Sequence, residues 1–100
     1  MNVNVTMEGS KATVVLDGKL TVNSAPGLRS LLDTLPEGLR DIDIDLSSTS
    51  YIASTGLRVL VAAGKLAHER GGVARLLHPS GEVRRILEIM GLLEVIAVED

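Results

Sequence analysis

Residues 41–72 read DIDIDLSSTSYIASTGLRVLVAAGKLAHERGG, and this stretch decides how the chain folds. Its first part, 41–46, alternates aspartates with apolar residues, which is typical of a strand that buries one face. Its last part has apolar residues at helical spacing and ends at Gly71-Gly72, a helix-stop signal. We therefore predict a strand, a loop and a long helix, with the hydroxyl of Ser54 capping the start of the helix.

The residues before this stretch predict a hairpin and a first helix. The alternating residues 3–5 and the apolar run 12–16 indicate two antiparallel strands, the second of which ends at Asp17-Gly18. Asn23 or Ser24 can cap a helix whose leucines recur at helical spacing up to residue 35.

The residues after it predict a strand at 73–77, a helix that begins near Ser80 and a last strand at 94–98. The predicted order is β-β-α-β-α-β-α-β, a single α/β domain over residues 1–100. Three strand–helix–strand units imply right-handed crossovers, so the sheet is mixed and mostly parallel, and the helix starts gather at one edge. We expect the helices mainly on one face, because the alternating aspartates indicate that the other face is solvated.

The composition excludes several functions. The chain has 100 residues, a net charge of -3, a single aromatic residue (Tyr51) and no cysteine. Without clustered cations or aromatic side chains, direct nucleic-acid binding is not expected. Without cysteine, disulfides and thiolate metal sites are ruled out. No apolar run reaches the ~18 residues of a membrane span, and the N-terminus lacks the features of a signal peptide, so we predict a cytoplasmic protein without membrane insertion.

The sequence contains no catalytic constellation. His68 and His78 are the only imidazoles, and neither has a neighbour at metal-ligand spacing. Asp41, Asp43 and Asp45 are spread along a strand and do not converge on one ion, so a solvated face is the better interpretation. We therefore predict that the chain is not an enzyme and holds no metal and no cofactor.

Ser54, Thr55 and Gly56 are the residues with the clearest functional signal. They supply two adjacent hydroxyls and a glycine inside the first turn of the predicted helix, where glycine is a poor helix former. They also lie at the edge where the helix starts gather, and a phosphate placed there would meet free backbone N–H groups and the positive end of a helix dipole.

Residues 45–60, followed by Gly71-Gly72, resemble the signature of the STAS-domain anti-sigma-factor antagonists. Gly18-Lys19-Leu20 is similar to an early Gly-x-Leu of that family, and residues 86–92 are similar to its late helix and turn. The resemblance covers essentially the whole chain.

This resemblance implies regulation by partner switching. The unphosphorylated antagonist binds an anti-sigma factor that is also an ATP-dependent serine kinase, and so frees the sigma factor. The kinase phosphorylates a serine that corresponds to Ser54, and a metal-dependent phosphatase of the 2C type reverses the reaction. The resemblance places these residues at the partner surface: Thr21, Asn23, Ser24, Thr49, Tyr51, Thr55, Gly56 and Arg58.

Two positions depart from the family pattern. Many relatives have aspartate immediately before the serine, where this chain has Ala53, and an acidic residue just after Gly-x-Leu, where it has Thr21. Two alternatives to the switch stay open: a STAS adaptor subunit of a transporter ATPase complex that is not phosphorylated, and a small module that binds a nucleotide or an anion at the same edge.

Overall fold

A computed structural model describes residues 1–100 of the chain. Six strands, three helices and one short 3₁₀ helix follow one another. They are β1 (Asn2–Glu8), β2 (Lys11–Leu20), α1 (Ala25–Asp33), β3 (Asp41–Asp45), β4 (Thr49–Ile52), α2 (Ser54–Glu69), β5 (Ala74–Leu77), α3 (Gly81–Ile89), the 3₁₀ helix (Leu92–Glu94) and β6 (Ala97–Glu99).

All six strands join one sheet. Its main path runs β1-β2-β3-β5-β6, and β4 pairs with the last residues of β2 beside that path. β1 and β2 form the predicted antiparallel hairpin, and every other pairing is parallel. The prediction of a mixed, mostly parallel sheet is confirmed. Because the strands that precede α1, α2 and α3 are parallel, the three helices start at the same edge of the sheet.

The hydrophobic core lies between one face of the sheet and the helices. Val14 and Leu16 of β2 and Ile42 and Ile44 of β3 are fully buried on this face, whereas the intervening residues of β2 keep partial exposure. This alternation confirms that the helices lie on one face of the sheet.

The prediction that the aspartates of β3 form a solvated face was wrong for Asp43. The residue is only 4% exposed. Arg75, its neighbour in register on β5, donates two hydrogen bonds to its carboxylate at 2.9 and 2.7 Å, and Lys11 Nζ lies 3.2 Å away. Arg75 also donates to Glu99 at 2.8 Å. The strand order therefore places cations beside Asp43, and their side chains cover it.

Burial works to raise the pKa of the Asp43 carboxyl, but hydrogen bonds and charge from Arg75 and Lys11 outweigh burial and hold this pKa below its usual 3.8. Hydrogen bonds to Asp43 and Glu99 raise the pKa of Arg75 above its already high ordinary value. Both groups are therefore charged at neutral pH, and the uncovered face of the sheet carries a paired ionic cluster at its centre.

Three boundaries differ from the predictions. Residues 49–52 were expected in a loop, but they form β4. The second strand was expected to end at Asp17-Gly18, but it continues to Leu20 through an irregular step at Gly18, whose φ is +115°. The last strand begins at Ala97, after the 3₁₀ helix, and not at Glu94. Short strands next to glycine and serine carry too little apolar alternation to be recognised.

Arg70, directly after the last residue of α2, attaches the C-terminal end of this helix to a neighbouring connection. Its guanidinium donates to the carbonyl oxygens of Leu35, Pro36 and Leu39, each at 2.9 Å. These carbonyls belong to the connection between α1 and β3, so one side chain joins that connection to the end of α2.

Candidate functional site

Ser54 is the first residue of α2, and its prediction as the helix cap was wrong. Ala53, in extended conformation, occupies the cap position, and no side chain caps this helix. Ser54 is exposed. The first helical hydrogen bond runs from the N–H of Leu57 to the carbonyl oxygen of Ala53, so the N–H groups of residues 54–56 have no acceptor within the helix. No side chain accepts from them either. The serine hydroxyl and a set of free N–H donors therefore lie together at the sheet edge.

The pairing of β2 with β4 brings the other predicted residues to Ser54. Leu20 and Ile52 are partners in the parallel register, and the N–H of Ala53 donates to the carbonyl oxygen of Leu20 at 2.8 Å. Thr21 follows Leu20 and Ser54 follows Ala53, so both residues come directly after this hydrogen bond. Sequence reasoning missed β4, yet this strand is what sets the loop after β2 beside the start of α2.

The loop after β2 is held by its own side chains. Ser24 Oγ accepts from the N–H of Thr21 at 2.8 Å and donates to the carbonyl oxygen of Lys19 at 3.0 Å. The hydroxyl of Thr21 accepts from the N–H of Asn23 at 3.2 Å. Ser24 occupies the predicted cap position of α1, but its hydroxyl closes this loop and does not cap the helix. The loop therefore presents a fixed shape, with Asn23 exposed at its tip.

Three exposed side chains lie on the segments that meet near Ser54. Tyr51 is 47% exposed at the end of β4, and Arg58 is exposed one helical turn after Ser54, on the same side of α2. Val22, 64% exposed, was not predicted as part of the site. The only sequence signal for it is an aliphatic residue inside a loop that is otherwise polar.

Thr49 and Gly56 are not surface residues, which corrects their assignment to the partner surface. Thr49 is 2% exposed, and its hydroxyl donates to the carbonyl oxygen of Leu16 at 2.8 Å. Gly56 is buried, and an added Cβ would lie 2.5 Å from Cγ of Leu20. Thr49 thus attaches β4 to β2, and Gly56 lets α2 approach the end of β2.

Thr55 is half-buried, and its Oγ1 atom is buried without a hydrogen-bond partner. The chain contains no group of three or more His, Cys, Asp or Glu side chains arranged to hold a metal ion. None of its helices combines the length and the apolar composition that a bilayer crossing requires. The edge presents an exposed hydroxyl, backbone N–H donors without an acceptor and a surface of mixed polarity.

Comparison with known proteins identifies the class to which this fold and edge belong. Residues 3–97 match the family described as "Mlab, STAS domain". The chain therefore belongs to the STAS-domain family, in the branch that contains the anti-sigma-factor antagonists.

Within this family, the chain is 35% identical to the anti-sigma-B factor antagonist of Bacillus subtilis, over 98% of this chain and 92% of that protein. A crystal structure from Thermotoga maritima has a TM-score of 0.89 at 22% identity, covering 98% of this chain and 86% of that one. The anti-sigma factor antagonist SpoIIAA in its unphosphorylated form has a TM-score of 0.79 at 17% identity, covering 99% and 88%. At these identities the two structures support the fold alone.

Proposed function

We propose that this chain is a cytoplasmic anti-sigma-factor antagonist that binds an anti-sigma factor when Ser54 is unphosphorylated and releases it when Ser54 is phosphorylated. The contact surface, called the docking surface below, consists of Thr21, Val22, Asn23, Ser24, Tyr51, Ser54, Thr55 and Arg58. In this role the chain is a binding protein and not an enzyme.

The observation that carries this proposal is the position of Ser54. Its side chain is exposed at the first position of a sixteen-residue helix that no side chain caps. A kinase can therefore reach the hydroxyl, and a phosphoryl group attached there lies beside free N–H donors and the positive end of the helix dipole. The domain can accept the modification without refolding.

A partner docked on this surface cannot accommodate a phosphoryl group on Ser54 as easily as the domain itself can. Phosphorylation adds about -1.5 to -2 charges and three acceptor oxygens. A partner packed on the neutral serine would have to desolvate this dianion or face it with like charge, both of which cost binding free energy. We propose that release follows from this local effect.

The proposed enzymes of the cycle are the anti-sigma factor itself, acting as an ATP-dependent serine kinase, and a 2C-type phosphatase. Incubation with the anti-sigma factor of the same genome and Mg-ATP, followed by intact-mass measurement, tests the kinase step. Wild type should gain one phosphate and Ser54→Ala none. The control is Ser50→Ala, which removes an exposed serine on the neighbouring strand and should still gain one phosphate. A phosphate on Ser54→Ala, or no phosphate on wild type, would contradict the proposal.

A further inference from the structure

The acidic residues of this chain avoid the docking surface. The chain has 13 Asp and Glu residues against 10 Lys and Arg residues. Yet no Asp or Glu occurs in residues 18–32 or in residues 46–68, the two segments that supply β4, the start of α2 and the loop after β2. An acidic protein thus presents an edge whose own segments carry only cations.

One of these cations, Arg58, belongs to the docking surface, and a second, Lys19, lies beside it. Lys19 is the partner of Tyr51 in the β2–β4 register and is exposed, and Arg58 is exposed one turn after Ser54. Neither side chain forms an ion pair, whereas Lys11, Arg29, Arg75 and Arg84 each have a carboxylate partner. The charges at this edge are therefore not neutralised within the chain.

Three carboxylates lie next to the segments that form this edge. Asp17 precedes Lys19 by two residues, and Asp45 accepts a hydrogen bond from the N–H of Ser47 at 2.9 Å. Glu82, at the start of α3, shares a shallow polar depression with residues 47–50. None of the three forms an ion pair with Lys19 or Arg58.

We infer that the docking surface takes a partner whose facing surface is acidic, with carboxylates placed against Lys19 and Arg58 around an apolar contact with Val22 and Tyr51. This inference deepens the proposed function and rests on it, because it specifies the chemistry of the same partner. Oppositely charged surfaces steer association and reject partners of the wrong charge. Two cations are too few for a nucleic-acid backbone, which a protein usually contacts through several phosphates.

The inference also gives Ala53 and Thr21 a physical role. An aspartate at either position would offset Lys19 or Arg58, so neutral residues there keep the edge cationic. A phosphoryl group of about -1.5 to -2 charges on Ser54 would cancel the two positive charges and face the partner's carboxylates directly. Release would then follow from the loss of the positive charge that attracts the partner.

A phage-displayed library of random linear peptides, selected against the immobilised wild-type protein at low salt, tests this chemistry without a known partner. The enriched peptides should be acidic and should shift the backbone amide resonances of residues 19–24 and 51–58. Their affinity should fall as salt rises. A neutral or basic consensus, shifts elsewhere on the domain, or no enrichment would overturn the inference.

Charge-reversal variants provide the matched control. Lys19→Glu/Arg58→Glu should weaken the selected peptides at least about tenfold. Lys65→Glu/Arg85→Glu has the same change in net charge at two exposed cations outside the docking surface and should bind as wild type does. Equal loss in both variants would overturn the inference. Acidic peptides at this edge together with no binding of any anti-sigma factor would instead contradict the proposed function alone.

Discussion

Gly56 of α2 lies directly against Leu20 at the end of β2: a Cβ atom added to Gly56 would stand 2.5 Å from Cγ and 2.8 Å from Cδ2 of Leu20. Leu20 is fully buried, so its side chain cannot move aside into solvent. This contact fixes the start of α2 against the end of β2, and the shape of the proposed docking surface depends on it.

We predict that Gly56→Ala destabilises the domain by about 1–3 kcal/mol, the usual effect of overpacking a core. Glycine to alanine inside a helix normally stabilises a protein by up to about 1 kcal/mol. A loss of stability in Gly56→Ala would therefore indicate the close contact with Leu20. Gly64→Ala in the same helix is the control, because its nearest contact would be an ordinary 3.6 Å to Ile96. Urea unfolding followed by circular dichroism measures both; a stabilised Gly56→Ala would show that the close contact does not exist.

Arg70→Lys should lower the free energy of unfolding by about 1–2 kcal/mol. The planar guanidinium spans three carbonyl oxygens in the connection between α1 and β3, and an ammonium group cannot reach all three. Arg85→Lys, an exposed arginine without an ion pair, should stay within about 0.5 kcal/mol of wild type. Equal unfolding midpoints for the two variants in urea would refute the role given to Arg70.

Asp43→Asn should cost about 1–2 kcal/mol at neutral pH, since Arg75 and Lys11 lose a buried partner but are themselves partly exposed to solvent. The folded pKa of Asp43 lies below its usual value. Its contribution is therefore complete above the unfolded pKa of about 3.9 and disappears as the pH falls through the lower folded pKa.

Unfolding free energies measured from pH 7 down to strongly acidic solution check this dependence. The gap between wild type and Asp43→Asn should be constant down to about pH 4 and narrow below it. Asp33→Asn, which breaks only an exposed pair with Arg29, should produce a much smaller gap. A gap that narrows between neutral pH and pH 5 would show that another group is responsible.

Val22→Ser should weaken binding to the anti-sigma factor by about tenfold, because Val22 offers exposed aliphatic area within the proposed contact. Val73→Ser removes an aliphatic side chain of similar exposure, 58% against 64%, at the opposite end of the sheet. Calorimetric titration should find wild-type affinity for Val73→Ser. Equal affinities for the two variants would remove Val22 from the docking surface.

The order of elements could be predicted because strands and helices with a regular apolar period dominate the chain. The alternation in 41–46 and the helical stripe after Ser54 were sufficient for the parallel sheet and for helices on one face. β4 could not be predicted in the same way. Its four residues pair only with the end of β2, and their stability comes from contacts such as the Thr49–Leu16 hydrogen bond between distant segments.

The placement of Ser54 at the start of α2 could be predicted, but its local geometry could not. Ser54 is at the helix start, but Ala53 occupies the cap position. The exact first residue of a helix depends on backbone geometry, which the sequence pattern does not define to one residue. Asp43 was placed on a solvated face because the sequence does not reveal which strand lies beside β3. Only the register with β5 brings Arg75 to it.

The role of Ser54 in docking is tested most directly by the affinity of the anti-sigma factor for two forms of this chain, one with serine and one with genetically encoded phosphoserine at position 54. Circular dichroism of both forms should be the same, since the modification acts locally. The dissociation constant should rise at least about a hundredfold on phosphorylation. Equal dissociation constants for two equally folded forms would contradict the claim that Ser54 controls docking.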